Sequence, residues 1–122
     1  MKIEVSIGEI VDKFTILSIK KIEIKDESKL VNIDKEWEYL YDIMEDLQID
    51  DEDVNRLMHV NRILWNVEEN KRKCEATKDF GDNFIQLARS VYIMNDKRAA
   101  IKKEINLKYG SEIIEEKSYK DY

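Results

Sequence analysis

Proline is absent from this 122-residue chain, and glycine occurs only three times. A chain so poor in turn-forming residues is not expected to be rich in loops or hairpins, and 39% charged beside 43% apolar residues suits long solvated helices. The length allows one domain with a single core. We therefore predict an all-α protein consisting of one domain, residues 1–122.

Cysteine and histidine each occur once, as Cys74 and His59. A single cysteine cannot form an intramolecular disulfide, and a single histidine that the helical wheel turns outward cannot complete a catalytic triad or a histidine-rich metal site. A small apolar role for Cys74 is favoured over a thiolate nucleophile, because no histidine lies nearby in the sequence. We predict neither a metal nor a cofactor.

Positive charge is in the minority, since 21 Lys and Arg face 27 Asp and Glu and the formal net charge is −6. The resulting field repels nucleic acid phosphates and anionic membrane surfaces, so neither is an expected partner. No apolar run approaches the ~18 residues of a membrane span. The first ten residues, MKIEVSIGEI, lack the basic start and apolar core of a signal peptide. We expect a cytoplasmic location.

Apolar periodicity divides the chain into four helices joined by short polar turns. Ser6 and Glu9 have the spacing of a capping box, in which the serine accepts from the amide of residue 9 and the glutamate reaches back. Gly110 can adopt the left-handed conformation that ends a helix. We predict an antiparallel bundle of about four helices, with an extended N-terminal lead-in and a C-terminal tail packed across one end. The predicted helices span about residues 7–25, 29–48, 54–77 and 84–109.

The first helix is apolar on two sides. One face consists of Ile7, Ile10, Val11, Phe14 and Leu17, and the second consists of Ile16, Ile19 and Ile22. A helix with two apolar faces is central in its bundle or lies at an oligomer contact. We therefore predict a homodimer that forms through the second face.

Polar side chains interrupt the apolar faces of the last two helices. On the last helix they recur at spacings of three, four and four, as Asn95, Arg98, Lys102 and Asn106. On the third helix the polar stripe consists of Asn61, Glu68, Arg72 and Glu75. Antiparallel neighbours joined by a short turn bring together residues whose numbers sum to about 161. This register predicts Glu68 beside Tyr92 or Asn95. It also predicts Asn61 near Arg98 to Lys102.

Charges inside an apolar bundle cost several kcal/mol unless they are paired, hydrated or bound to a ligand. Three explanations of this polar seam stay open: an internal hydrogen-bond network, a dimer interface, or a groove for a small anionic ligand. In the groove, Arg98 would fork onto a carboxylate or phosphate and Lys102 would act as a point charge. Counting Arg98, Lys102 and Lys21 against Glu68 and Asp12 leaves one spare positive charge, which favours an anion. The candidate ligand-binding residues are Asn61, Glu68, Tyr92, Asn95, Arg98 and Lys102, supported by Asp12, Trp65 and Arg89.

Resemblance to a known family lies in the segments VSIGEIVDKFTILSIK (5–20), KLVNI (29–33), VNRILWNVEE (60–69), FIQLARSVYIMNDKRAAIKKEIN (84–106) and GSEIIEEKSY (110–119). In these segments the chain resembles a family of small uncharacterised bacterial and viral proteins, catalogued as a domain of unknown function. The resemblance implies no established activity, so it adds no catalytic residue.

The polar seam leads to two hypotheses about function. The first is a non-catalytic binding or assembly protein whose seam holds a small anion. The alternative is a small helical enzyme that acts on an anionic metabolite by electrostatic stabilisation, with Arg98 and Lys102 facing the developing charge. Helical bundles similar to chorismate mutases work in this way, but none of their motifs is present, so the comparison concerns the type of chemistry alone.

Overall fold

The computed structural model describes all 122 residues and contains four helices and no strand. The helices are α1 (Ile7–Glu23), α2 (Glu27–Leu47), α3 (Asp51–Thr77) and α4 (Asp82–Lys108). The predicted all-α antiparallel bundle is confirmed, and no helix bound differs from the predicted one by more than three residues. None of the four helices combines the length and hydrophobicity that a bilayer crossing requires.

The helix α1 lies at the centre of the bundle. It packs closely against all three other helices, whereas α2 packs closely against α1 alone. Each buried Leu or Ile side chain in such a core contributes roughly 1.5–3 kcal/mol. The core comprises Val11, Phe14 and Leu17 from α1, Ile33, Leu40 and Met44 from α2, Leu57 from α3 and Ile105 from α4.

The register between α3 and α4 is the predicted one, in which the numbers of facing residues sum to about 161. The guanidinium of Arg56 lies 2.6 Å from the carboxylate of Glu104, and the ammonium of Lys108 lies 2.8 Å from that of Asp53. These pairs confirm the register, which also sets Asn61 level with Arg98.

The N-terminus of α1 is capped from three parts of the chain. Ser6 Oγ accepts from the amide of Glu9 at 3.2 Å, as predicted. The other half of the predicted capping box is wrong, because the carboxylate of Glu9 instead accepts from Lys102 at 2.6 Å. The remaining free amides of the first turn find partners near the C-terminus: the amide of residue 7 donates to Ser111 Oγ at 3.1 Å and that of residue 8 to Asn106 Oδ1 at 2.6 Å.

The tail beyond α4 lies along that helix rather than across one end of the bundle. Glu115 and Glu116 accept from Lys102 and Lys103 of α4 at 3.2 and 3.0 Å. Farther along, the ring of Tyr122 lies 5.2 Å from that of Tyr92. The tail therefore follows α4 back from its C-terminus for several turns.

The second apolar face of α1 is used mainly within the chain. Ile19 is 1% exposed and Ile16 is half-buried, whereas Ile22 is 60% exposed. Only one of the three isoleucines therefore offers substantial surface to a second copy. The homodimer stays a prediction, but most of the apolar face from which it was predicted is buried within the chain itself.

Candidate functional site

Arg98 lies where the polar stripes of α3 and α4 meet. Its Nη1 donates to Asn61 Oδ1 at 3.0 Å, and its Nη2 donates to Asn95 Oδ1 at 2.7 Å. Both acceptors are neutral amide oxygens, and no carboxylate lies within the 4.0 Å of a salt bridge. Arg98 is thus a half-buried cation that is held in place without being neutralised.

Asn61 connects this arginine to α1. Its Nδ2 donates to Asp12 Oδ1 at 2.7 Å and to Thr15 Oγ1 at 2.8 Å, and the residue is only 4% exposed. Since both amide hydrogens are used on α1, Oδ1 faces Arg98. Every buried polar side-chain atom has a hydrogen-bond partner. This network ties α1, α3 and α4 together and fixes their register.

A groove of about 470 Å³ opens beside Arg98. Its apolar lining consists of Ile16, Ile19, Leu64 and Trp65, and its polar lining consists of Asn61, Glu68, Glu69, Arg72 and Arg98. The α3 residues 61, 65, 68 and 72 recur at spacings of four, three and four, which is one side of a helix. Three residues of the polar stripe predicted on α3, Asn61, Glu68 and Arg72, therefore line the groove, whereas the fourth, Glu75, does not.

The confirmed register sets Glu68 level with Tyr92, as predicted, but Glu68 hydrogen-bonds to Lys71 of its own helix and to neither Tyr92 nor Asn95. Glu68 is half-exposed at the groove, and its carboxylate lies 3.4 Å from Lys71 on the same helix. Tyr92 lies outside the groove, against the ring of Tyr122. Arg89 is exposed and does not line the groove either. The structure thus brings four of the nine predicted residues, Asn61, Trp65, Glu68 and Arg98, to one groove. The other five, Asp12, Arg89, Tyr92, Asn95 and Lys102, do not line it.

Lys102 belongs to an ionic cluster rather than to the groove. Its Nζ lies 2.6 Å from Glu9, 3.2 Å from Glu115 and 3.9 Å from Asp12, and its side chain is 13% exposed. Burial on its own lowers the pKa of Lys102, but the hydrogen bond to Glu9 and the nearby carboxylates outweigh it and raise that pKa. Lys102 therefore stays charged in the folded protein.

The charge balance predicted for the seam is wrong. Lys21 contributes nothing to it, because its ammonium lies over the ring of Trp37 and 3.4 Å from Asp34 of α2. Glu9 and Glu115 were missing from the predicted set, and both carboxylates bind Lys102. Lys102 is paired with carboxylates, whereas Arg98 has no carboxylate within 4.0 Å. The groove as a whole is lined by two guanidinium groups, those of Arg72 and Arg98, and by two carboxylates, those of Glu68 and Glu69.

A second, smaller cavity lies on the other side of Arg98, between α4 and the tail. Its volume is about 180 Å³. It is lined by Asn95, Asp96, Arg98, Ala99, Lys102, Lys117 and Tyr119. Sequence reasoning missed the tail residues among these, because the tail has no periodicity from which a contact could be inferred. We call this cavity the tail cleft.

No three side chains of the metal-binding types Cys, His, Asp and Glu gather as a metal centre would need.

Fold and site together define a small all-α bundle protein in which a buried amide network holds an arginine between a groove and a cleft. The chain belongs to the Family of unknown function (DUF6165), whose model matches residues 1–122, and this confirms the resemblance seen in the sequence. Comparison with curated proteins and with solved structures finds no match. Function is therefore argued from the site.

Proposed function

We propose that the protein binds a small organic anion in the groove, through the guanidinium of Arg98, without catalysing a reaction. The observation that carries this proposal is the bonding of Arg98 to two amide oxygens and to no carboxylate. An arginine with a purely structural role inside a bundle is better stabilised by a carboxylate, because a buried charge without a counterion is costly. A bound anion would supply that counterion.

The two amides leave part of the guanidinium free for a ligand. Asn61 and Asn95 each take one N–H of Arg98, and the planar group carries further N–H donors. Their fixed fork matches the two oxygens of a carboxylate or phosphate group. Because Asn61 is itself held by Asp12 and Thr15, the guanidinium is oriented before any ligand arrives.

The rest of the groove supports an organic rather than an inorganic anion. Its apolar lining suits a hydrocarbon body, and the indole of Trp65 offers a flat face for packing. The volume of about 470 Å³ lies within the range of roughly 300–1,000 Å³ that is usual for small-molecule sites. The proposed ligand thus has one anionic group and a compact apolar body.

The substitution Asn95→Asp tests this proposal without removing the arginine. It replaces an amide oxygen that already accepts from Arg98 by a carboxylate of the same shape, so the cation gains an internal partner. We expect the folded protein to be retained and the affinity for hexanoate to fall at least ten-fold, about 1.4 kcal/mol. Hexan-1-ol, which has a similar body and no charge, should bind the wild type more weakly than hexanoate.

Trp65 provides the readout, because it lines the groove while the other tryptophan, Trp37, packs against Phe14 and Tyr41. Ligand-dependent tryptophan emission therefore reports on the groove. The matched control is Asn66→Asp, which adds the same charge at an exposed position of α3 that does not line the groove. Equal affinities for hexanoate in the two variants, or no saturable binding by the wild type, would contradict the proposal. The amide network would then serve only to fix the register of the helices.

The cytoplasmic location, the homodimer and the catalytic alternative stay predictions. Size-exclusion chromatography with light scattering measures the oligomeric state directly. A monomer at micromolar concentration would remove the homodimer and leave the groove proposal intact, since all of its lining residues come from one chain.

A further inference from the structure

The groove has opposite charges at its two ends, and a simple anion is complementary to only one of them. Arg98 lies at the inner end, where it binds the buried Asn61. Glu69 lies at the outer end, where the lining side chains are exposed. On α3, Trp65 lies between the two ends. At a rise of about 1.5 Å per residue, Glu69 is roughly 12 Å from Asn61 along the helix axis.

The carboxylate of Glu69 has no cationic partner. No lysine or arginine nitrogen lies within 4.0 Å of it. Its Oε1 accepts from Trp65 Nε1 at 3.2 Å, which holds the carboxylate beside the indole. The other lining carboxylate, Glu68, differs because it lies 3.4 Å from Lys71. The groove therefore combines an arginine without a carboxylate at one end with a carboxylate without a cation at the other.

We infer that the ligand of the groove is a zwitterion, an amino carboxylate whose carboxylate binds Arg98 and whose primary ammonium binds Glu69. This inference rests on the proposed anion site and adds the opposite end of the ligand. The charge of the whole molecule supports it, since a net charge of −6 repels a simple anion but not a ligand without net charge. An ammonium offers three N–H donors to the carboxylate of Glu69.

Arg72 also lines the groove and defines a rival ligand, a dianion with a second anionic group at the outer end. Arg72 is exposed, and the two lining carboxylates, Glu68 and Glu69, belong to the same end. A second anionic group would therefore lie near two carboxylates and one guanidinium. An ammonium in the same place meets the more favourable balance of charge.

Three probes with the same six-carbon chain test the inference. The ammonium of 6-aminohexanoate lies at the far end from the carboxylate, that of 2-aminohexanoate lies next to it, and hexanoate has none. We expect 6-aminohexanoate to bind about three- to five-fold more tightly than hexanoate, the usual gain from an exposed ion pair. Its isomer 2-aminohexanoate should bind more weakly than hexanoate, because its ammonium would lie beside the guanidinium of Arg98. Trp65 emission follows each titration, and the midpoint gives the affinity.

The substitution Glu69→Gln removes the charge and keeps an oxygen that can accept from Trp65. In this variant, 6-aminohexanoate should bind no more tightly than hexanoate, and the affinity for hexanoate should change by less than about two-fold. The matched control Glu75→Gln removes the same charge from α3 outside the groove and should keep the preference for 6-aminohexanoate. Glu68→Gln should keep it as well, because Glu68 is paired with Lys71.

The outcomes for the ammonium and for the anion are separable. Equal affinities for 6-aminohexanoate and hexanoate, a preference that survives Glu69→Gln, or tighter binding of the dianion hexanedioate than of 6-aminohexanoate would overturn the inference. Saturable binding of hexanoate with no gain from the ammonium would leave the proposed anion site intact. Absence of saturable binding by both hexanoate and 6-aminohexanoate would overturn the inference and the proposed function together.

Discussion

Gly8 is a residue of α1 at which the backbone of α4 approaches closely. A Cβ atom built on it would lie 2.6 Å from the carbonyl oxygen of Lys102 and 2.9 Å from Asn106 Oδ1. The carbonyl belongs to helix backbone and cannot rotate away, so the two helices would have to separate. The absent side chain of Gly8 is therefore a requirement of the packing and not of backbone conformation.

The substitution Gly8→Ala is expected to lower the free energy of unfolding by about 1–3 kcal/mol, as overpacking usually does. The gain in helix propensity, roughly 0.5–1 kcal/mol, offsets part of the cost. Urea denaturation measures the difference. Gly81→Ala is the control, because a Cβ there meets only Asp79 Oδ1 at 3.5 Å. An alanine variant at Gly8 as stable as the wild type would contradict the close approach.

At the residue scale, sequence reasoning found the contacts that follow from helical spacing. It missed what depends on how deeply a side chain is buried in the bundle. The 3.6-residue period placed Asn61 and Arg98 on facing sides of α3 and α4, and they are hydrogen-bonded. The period gives the direction in which a side chain leaves its helix, but it does not tell where the neighbouring helix ends. Glu68 points the predicted way, yet it is half-exposed because it lies at the open side of the groove.

At the scale of elements, the junction between the start of α3 and the end of α4 depends on one buried carboxylate. Asp53 is 5% exposed and accepts from Lys108 Nζ at 2.8 Å and from Tyr109 Oη at 2.6 Å. Burial on its own raises the pKa of Asp53, but the hydrogen bonds from Lys108 and Tyr109 outweigh it, so this pKa lies below its ordinary value of 3.8. The charged form is thus favoured by folding.

The sign of the linkage gives a prediction for Asp53→Asn. A carboxyl whose pKa is lowered by folding stabilises the protein above its unfolded pKa and loses that contribution as pH falls through the folded pKa. At pH 7 we expect the variant to be less stable by about 1.5–3 kcal/mol, the usual worth of hydrogen bonds to a charged group. Below about pH 3.8 the difference should shrink.

Thermal unfolding over a pH series checks this expectation. The matched control is Asp51→Asn in the same first turn of α3, where the side chain is exposed and makes no hydrogen bond that the substitution would remove. A stability difference for Asp53→Asn that stays constant from neutral to acid pH would show that the carboxylate charge does not stabilise this junction.

The relative lengths of the helices explain why the groove exists. The helix α1 has 17 residues, whereas α3 and α4 have 27 each, so each of these two helices is about 15 Å longer than α1. The groove wall on α3 continues to Arg72, past the last α1 residues of the lining, Ile16 and Ile19. Sequence periodicity predicts each length to within a turn, but a cavity depends on how the ends are staggered. That stagger is set by packing, for example at Gly8, and not by any local pattern.

At the scale of the whole molecule, the tail is an added layer on a bundle that is complete without it. None of the buried apolar core residues lies beyond residue 105. The Arg98 network draws its partners from α1, α3 and α4 only. The tail contributes the hydroxyl of Ser111 to the start of α1 and the carboxylate of Glu115 to Lys102.

Removal of residues 111–122 is therefore expected to weaken the fold without abolishing it. The lost contacts are two hydrogen bonds of Ser111, the ring contact between Tyr92 and Tyr122, and ion pairs that are largely exposed. Together they give an expected loss of about 1–3 kcal/mol in the free energy of unfolding. Urea denaturation followed by helical circular dichroism measures the loss, and Trp65 emission with hexanoate tests whether the groove is retained. Ser111→Ala in the full chain isolates the hydrogen-bond part. Complete unfolding of the shortened chain would contradict the view of a self-sufficient bundle, since it would make the tail part of the cooperative core.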